Sequence, residues 1–257
     1  MRYFLRLAYD GSPFHGWQRQ PDAISVQQKI EEVLSLILRQ EISITGAGRT
    51  DTGVNASEMY AHFDADSPIT DVSRFLHSVN SLLAPHVVVF QLLPVKNNAH
   101  ARFDALNRTY HYYVCRLRSP FTRNFEWFSP SALDYEAMNC AAAKLIGTQD
   151  FTSFSRLHTD VKTNICTVTE ALWEPYTQAA AVPDRTERCC FTITANRFLR
   201  NMVRAIVGTL VEVGRGKMSI HEFEEIIEAK NRGVAGDSMP AHALFLHKVE
   251  YPKDIFL

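Results

Sequence analysis

Apolar and polar residues alternate from Arg2 to Asp10 (RYFLRLAYD), which is the period of a strand with one face in a core. After a loop, Val26, Ile30, Val33, Leu34, Ile37 and Leu38 recur at the spacing of one helical face. Ser25, with Gln28 three residues on, has the form of a capping box at the start of that helix. EISITGAG reads as a short strand and SEMYAHFDAD as another. Val72, Phe75, Leu76, Val79, Leu82 and Leu83 then mark a second helix, and HVVVFQLLPV a strand. The order is β-α-β-β-α-β.

The pattern then starts again. NRTYHYYVCRL is a strand, LDYEAMNCAAAKLIG a helix with Gly147 as its stop, and TVTEALWEPY and RCCFTITAN are strands. A helix is expected from Phe198 to Val213 and another from Ile220 to Ala229, before a closing strand, ALFLHKVEY. The expected fold is α+β. It has two ferredoxin-like-derived (β-α-β-β-α-β) halves with adjoining antiparallel sheets, helices on one side and an active-site cleft between them. The halves are expected at residues 1–100 and 101–257, with the boundary between 96 and 105.

With 257 residues, 46% hydrophobic and 21% charged, the chain has material for a sizeable core. No apolar run approaches the ~20 residues that span a bilayer, and arginines break the N-terminal pattern where a signal peptide would be apolar. A soluble, cytoplasmic protein is expected. The five cysteines form no C-x-x-C pair, and their odd number suits free thiols rather than a disulfide framework or a zinc site. A net charge of −1 gives no nucleic-acid signal, but its distribution is uneven. Asn107–Arg123 holds four arginines and no acid, and NRFLRNMVRAIVG adds Arg197, Arg200 and Arg204, whereas acids collect in HEFEEIIEAK. Such segments suit a phosphate-tracking face, and equally suit solvated faces or internal ion pairs; charge leaves both open.

The stretch TGAGRTDTGVNA, Thr45 to Ala56, carries three glycines, Arg49 and Asp51 between two apolar runs. It is not a dinucleotide loop, because G-x-G-x-x-G would need glycine where Asp51 stands, and the Gly-Lys-Ser/Thr of a nucleotide-triphosphate loop is missing. Two readings remain. Asp51 caps a turn while Arg49 makes a surface ion pair, or the loop presents a carboxylate beside a cation, as a nucleophile or charge stabiliser at a sugar requires. There is no second carboxylate at the spacing of a glycosidase pair, and no aspartate cluster of the kind a metal-dependent nucleoside hydrolase would place near the loop.

GAGRTDTGVNA resembles the active-site loop of the tRNA pseudouridine synthase A family, whose usual form is close to G-A-G-R-T-D-A-G-V-H-A. Further blocks resemble that family in the same order across essentially the whole chain: YDGSPFHGWQRQP, SVQQ, HARFDA, RTYHYYV, DFTSF, NRFLRNMVRAIVG and MPAHALFLHKVEYP. The resemblance implies an isomerase that detaches uracil from its ribose and rejoins it through carbon 5, at positions 38, 39 and 40 in the tRNA anticodon arm. It implies no cofactor and no metal, with tRNA as substrate and a homodimer as the working form. A tRNA-binding or folding protein without chemistry is the alternative; the presence of Asp51, Arg49, Tyr110 and Arg204 speaks for catalysis.

By the same resemblance Asp51 is the essential carboxylate, adding to C1′ of the ribose or taking the C2′ proton. Tyr110 stacks on the flipped uracil and assists proton transfer, Arg204 pairs with Asp51, and Arg49 orders the loop or aids flipping. From alternation alone Tyr110 and Tyr112 share one face and His111 and Tyr113 the other, and the pattern does not choose between them. Arg19, Arg102, Arg108, Arg156 and Arg197, with Arg116 and Arg118, are candidates for tRNA contacts. Met202, Phe151 and Phe154 are expected in the core, and Phe198, Met202 and Ile206 as an i+4 stripe of the helix. Three positions depart from the family pattern: Thr52 for alanine, Asn55 for histidine and Ala243 for glycine.

Overall fold

The structure, a computed structural model, describes residues 1–156, 163–177 and 188–257. It is of mixed α+β type. In chain order the elements are β1 (Arg2–Tyr9), α1 (Val26–Leu38), β2 (Thr45–Gly46), β3 (Asn55–Asp64), α2 (Val72–Leu83), β4 (Val87–Pro94) and β5 (Asn107–Cys115). They continue with β6 (Trp127–Phe128), α3 (Tyr135–Ala142), β7 (Gly147–Asp150), β8 (Ile165–Pro175), β9 (Arg188–Ala195), α4 (Met202–Gly214), α5 (Ile220–Ala229) and β10 (Leu244–Glu250). The chain forms two compact units, Met1–Asn107 with Phe245–Leu257, and Arg108–Leu244. The sequence reading counts the closing strand with the second half. It lies instead in the first unit because β10 pairs in parallel with β3, Phe245 opposite Asn55 and Leu246 opposite Ala56. Among the described residues no helix is long and apolar enough to cross a membrane.

In the first unit β1 lies between β4 and β3, antiparallel to both. The free edge of β3 takes β2 near His62 and β10 near Asn55. The odd-numbered residues Tyr3, Leu5, Leu7 and Tyr9 of β1 are buried on one face: the Tyr3 hydroxyl accepts from the backbone N–H of Ile69, just before α2, and its ring stacks on Phe63. Even-numbered residues emerge on the other face, where Phe4 stands opposite His62 and Arg6 opposite Tyr60. There Arg6 pairs with Glu58 at 2.7 Å. Residues 95–101 and the C-terminal Tyr251, Ile255 and Phe256 close over Phe4 in a small second core, so Phe4 is fully buried. Ser25 caps α1 by accepting from Gln28 N, but only half of the expected box forms: the Gln28 side chain turns along the helix, where its Nε2 donates to Glu32.

In the second unit β5, β9, β8 and β7 run antiparallel in that order, with β6 parallel to β5. Glu126 and Arg188, both buried, pair at 2.9 Å, and the hydroxyls of Thr122 and Tyr176 also donate to Glu126. Helix α3 is shorter than its apolar pattern; its last turn tightens to a 3-10 turn at Ala143–Leu145, and Gly147 (φ +108°) opens β7 rather than stopping the helix. Helix α4 begins at Met202, not Phe198. Asn201 sits in the left-handed region (φ 67°), which asparagine tolerates better than most residues and which a helix cannot include. Residues 196–201 are therefore a loop, and Phe198 does not belong to a helical stripe. Eleven of the 13 residues of α4 are buried, as expected of a helix apolar all round. All five cysteines are free.

Candidate active site

The loop holding Asp51 is fixed by the first block of the chain. The carbonyl of Thr50 accepts from Trp17 N (3.2 Å), and the buried hydroxyls of Thr50 and Tyr9 are bonded at 2.8 Å. Asn55, 1% exposed, accepts from Gly11 N at 2.8 Å, and Val54 N donates to the Asp51 carbonyl. A Cβ on Gly11 would stand 2.1 Å from the Val54 carbonyl oxygen, and one on Gly16 2.6 Å from that of Thr50. The two strands of backbone thus touch where only glycine permits it. Gly46 admits the indole of Trp17, whose ring also meets Tyr9. Gly53 supplies a left-handed turn (φ 75°) two residues after Asp51. Asp51 is half-buried and Arg49 exposed. Gly46 and Gly53 each have their own reason, and neither concerns a phosphate, whereas among the described residues a Cβ on Gly48 would meet nothing within 4 Å.

Tyr110 and Arg204 lie in the second unit. β5 carries both candidate tyrosines on one face, and burial separates them. Tyr112 is fully buried, its hydroxyl donates to the Pro240 carbonyl at 3.1 Å, and burial pushes its pKa well above the usual phenol range. Tyr110 is half-buried, with its ring edge-on to Phe198 at 5.0 Å between centroids. Of the two, Tyr110 retains an accessible ring. Arg204, in the first turn of α4, is half-buried; its Nε donates to the Met239 carbonyl at 2.6 Å, and Met239 N donates back to the Arg204 carbonyl. Segment 236–240 reaches this helix because Gly208 has no Cβ to meet the Asp237 carbonyl.

The loop 196–201 gathers other candidates. Arg108 donates to the Asn196 carbonyl at 2.8 Å, Arg156 N donates to the Arg200 carbonyl, and Phe198 meets Tyr110. Arg197 is half-buried and Arg156 exposed. Elsewhere in the second unit Arg116 is half-buried, and Arg118 stands over the Phe128 ring at 4.5 Å. In the first unit Arg19 is 3.5 Å from Glu31, and Arg102 stands 5.8 Å from the Phe103 ring. Tyr9, Gly11, Gly16 and Trp17, which hold the loop, have no role in the sequence reading. Their crowding of glycine and aromatic residues in YDGSPFHGW is the signal that was there to find.

A sequence model of the family described as tRNA pseudouridine synthase matches residues 141–252. A protein of Porphyromonas gingivalis named tRNA pseudouridine synthase A is 52% identical over 258 residues, covering 100% of this chain and 99% of its own. Proteins of the same name from Bacteroides fragilis and Chlorobaculum tepidum are 51% and 39% identical, covering 99% and 96% of this chain and 98% and 96% of theirs. The chain belongs to the tRNA pseudouridine synthase A family. The three positions at which it departs from the family pattern now have places. Thr52 is exposed, Ala243 is fully buried, and Asn55 spends its side-chain oxygen on Gly11 N inside the loop's support.

Proposed function

We propose that this chain, an isomerase of tRNA uridine by family, makes pseudouridine at positions 38, 39 and 40 of the anticodon arm. The N1–C1′ bond breaks, the uracil turns, C5 bonds to C1′, and the C5 proton leaves as N1 gains one. Atoms and electrons balance within the nucleotide. The Asp51 carboxylate either adds to C1′ as the N1–C1′ bond breaks and leaves again as C5 bonds to C1′, or takes the C2′ proton and returns it; Arg204 is its counter-charge, while Arg49 assists flipping. The flipped uracil stacks on Tyr110, whose hydroxyl helps move the C5 proton. An aromatic face returns about 1–3 kcal/mol of the stacking lost on flipping. Each unit is, in this reading, a ferredoxin-like-derived half, the first supplying the aspartate loop and the second Tyr110 and Arg204. Arg19, Arg102, Arg108, Arg156 and Arg197 contact the tRNA, and the chain works in the cytoplasm as a homodimer.

The observation that carries the reading is the intact Arg49-Thr50-Asp51 block in a chain matching its relatives end to end. The test is incubation with unmodified tRNA transcripts followed by chemical mapping of pseudouridine. Product at 38 to 40 is expected. Binding without product at any uridine would favour the non-catalytic tRNA-binding alternative.

A further inference from the structure

We propose that Phe103, with Arg102 and His100, forms a stacking platform for a nucleobase of the tRNA, separate from the Asp51 loop. The proposal rests on tRNA being the ligand. Phe103 is 75% exposed, yet its turn is firmly held. The backbone N–H groups of Arg102 and Phe103 both donate to His100 Nδ1, at 3.1 and 3.2 Å, and His100 N donates to the Asp104 carboxylate at 2.8 Å. Behind the turn, Ala101 N donates to Nδ1 of the buried His62.

The rings form a column. His62 meets His100 edge-on at 4.7 Å, and His100 lies 4.3 Å from Phe103 at 30°. Burial lowers the pKa of both histidines, that of His62 to about 4, so at neutral pH they support Phe103 as neutral rings. The positive charge is on Arg102, whose guanidinium is 5.8 Å from the Phe103 ring centre. An aromatic face with an arginine beside it is the equipment with which proteins hold single bases, since every base has a π-face and a phosphate follows it. The acids nearby are already engaged, Asp104 with His100 N and Asp64 with Arg2. A protein-docking patch would instead surround the ring with apolar side chains, whereas here its neighbours in the turn are Arg102, Asp104 and His100.

The platform also stands at the other end of β3 from Asn55, which supports the Asp51 loop. His62 and Asn55 are seven residues apart on β3, which is roughly 24 Å along a strand. Any base held at Phe103 is therefore a different nucleotide from the one at Asp51, and the contact acts on binding rather than on the chemical step.

The test uses the full chain and an unmodified tRNA transcript at fixed ionic strength. Phe103→Ala is expected to weaken tRNA binding about tenfold, within the range a single stacked base accounts for, with kcat at saturating tRNA within twofold of wild type. Phe103→Trp is expected to restore affinity and to add an emission, above that of the three native tryptophans, that tRNA quenches. Wild-type affinity in Phe103→Ala overturns the proposal, as does an added emission that tRNA leaves unchanged. A change in oligomeric mass by light scattering without a change in affinity overturns it in favour of a protein contact. Binding is read directly, so a chain that holds tRNA but makes no pseudouridine would sink the isomerase reading and leave this one standing.

Discussion

Replacing Gly16 with alanine pushes on the Asp51 loop from behind without touching a reacting group. The added Cβ would stand 2.6 Å from the Thr50 carbonyl oxygen and 3.3 Å from both the Asp51 carbonyl carbon and Thr52 N. To reach ordinary contact at 3.4 Å, the Thr50 backbone must retreat by about 0.8 Å. The neighbour is backbone, anchored by the Trp17 N–H and, through its side chain, by the Tyr9 hydroxyl, so it cannot swing aside as a flexible side chain would. Misplacement of a catalytic group by about 1 Å costs on the order of 10²-fold in rate. The φ of +88° adds a backbone strain of about 1–2 kcal/mol. Gly216 is the control: its φ is +67°, but among the described residues nothing lies within 4 Å of its would-be Cβ. Single-turnover release of the C5 proton from tRNA should fall about 10²-fold in Gly16→Ala and stay near wild type in Gly216→Ala, while both melt a few degrees lower. A folded Gly16→Ala enzyme reacting within threefold of wild type would refute the idea that this contact sets the position of Asp51.

Two further outcomes follow from buried groups. Asn55→Ala leaves Gly11 N without its acceptor at a buried position, which costs about 1–3 kcal/mol and should lower Tm by roughly 2–10 °C; an unchanged melt would show that water or a backbone shift replaces the bond. For His62, burial is the main cause of a pKa near 4, so between that value and the ordinary 6.5 the unfolded chain holds a proton that the folded chain lacks. Its contribution is complete above about pH 6.5 and is lost as pH falls toward 4, on the order of 3 kcal/mol in all. His62→Asn keeps an acceptor for Ala101 N but cannot titrate, so its Tm should fall less than that of wild type between pH 7 and 4.5. Parallel Tm curves would remove His62 from the acid response.

Helices α1, α2 and α5 were legible because a 3.6-residue apolar period and a side-chain cap lie within one short stretch of sequence. The misread elements depend on distant partners. EISITGAG reads as a short strand, but only Thr45–Gly46 of it joins a ladder. Ile42 N donates to Ser35 and Ile44 N to the buried Glu31, so side chains of α1 take donors that a strand would have offered to a neighbour. At the start of α4 the apolar residues continue the helical period through Phe198 and Leu199, yet Phe198 is apolar for its contact with Tyr110, and Asn201 breaks the helix. The parallel partner of β10 lies some 190 positions away. The same distinction applies to the candidate site. Asp51 stands out by its motif, whereas Tyr9, Gly11 and Gly16 support its loop from 35 to 42 positions earlier in the chain than Asp51, a relation that no local pattern records.

The claim on which the proposed chemistry turns is that the Asp51 carboxylate acts on the ribose. Asp51→Asn keeps the size of the side chain and removes its carboxylate. Wild type and variant, each folded by circular dichroism and each saturated with the same unmodified tRNA, should differ completely in pseudouridine at positions 38 to 40. Wild type should convert these sites, and Asp51→Asn should convert none while binding tRNA within a few-fold of wild type. Equal product from the two proteins would contradict the assignment of Asp51.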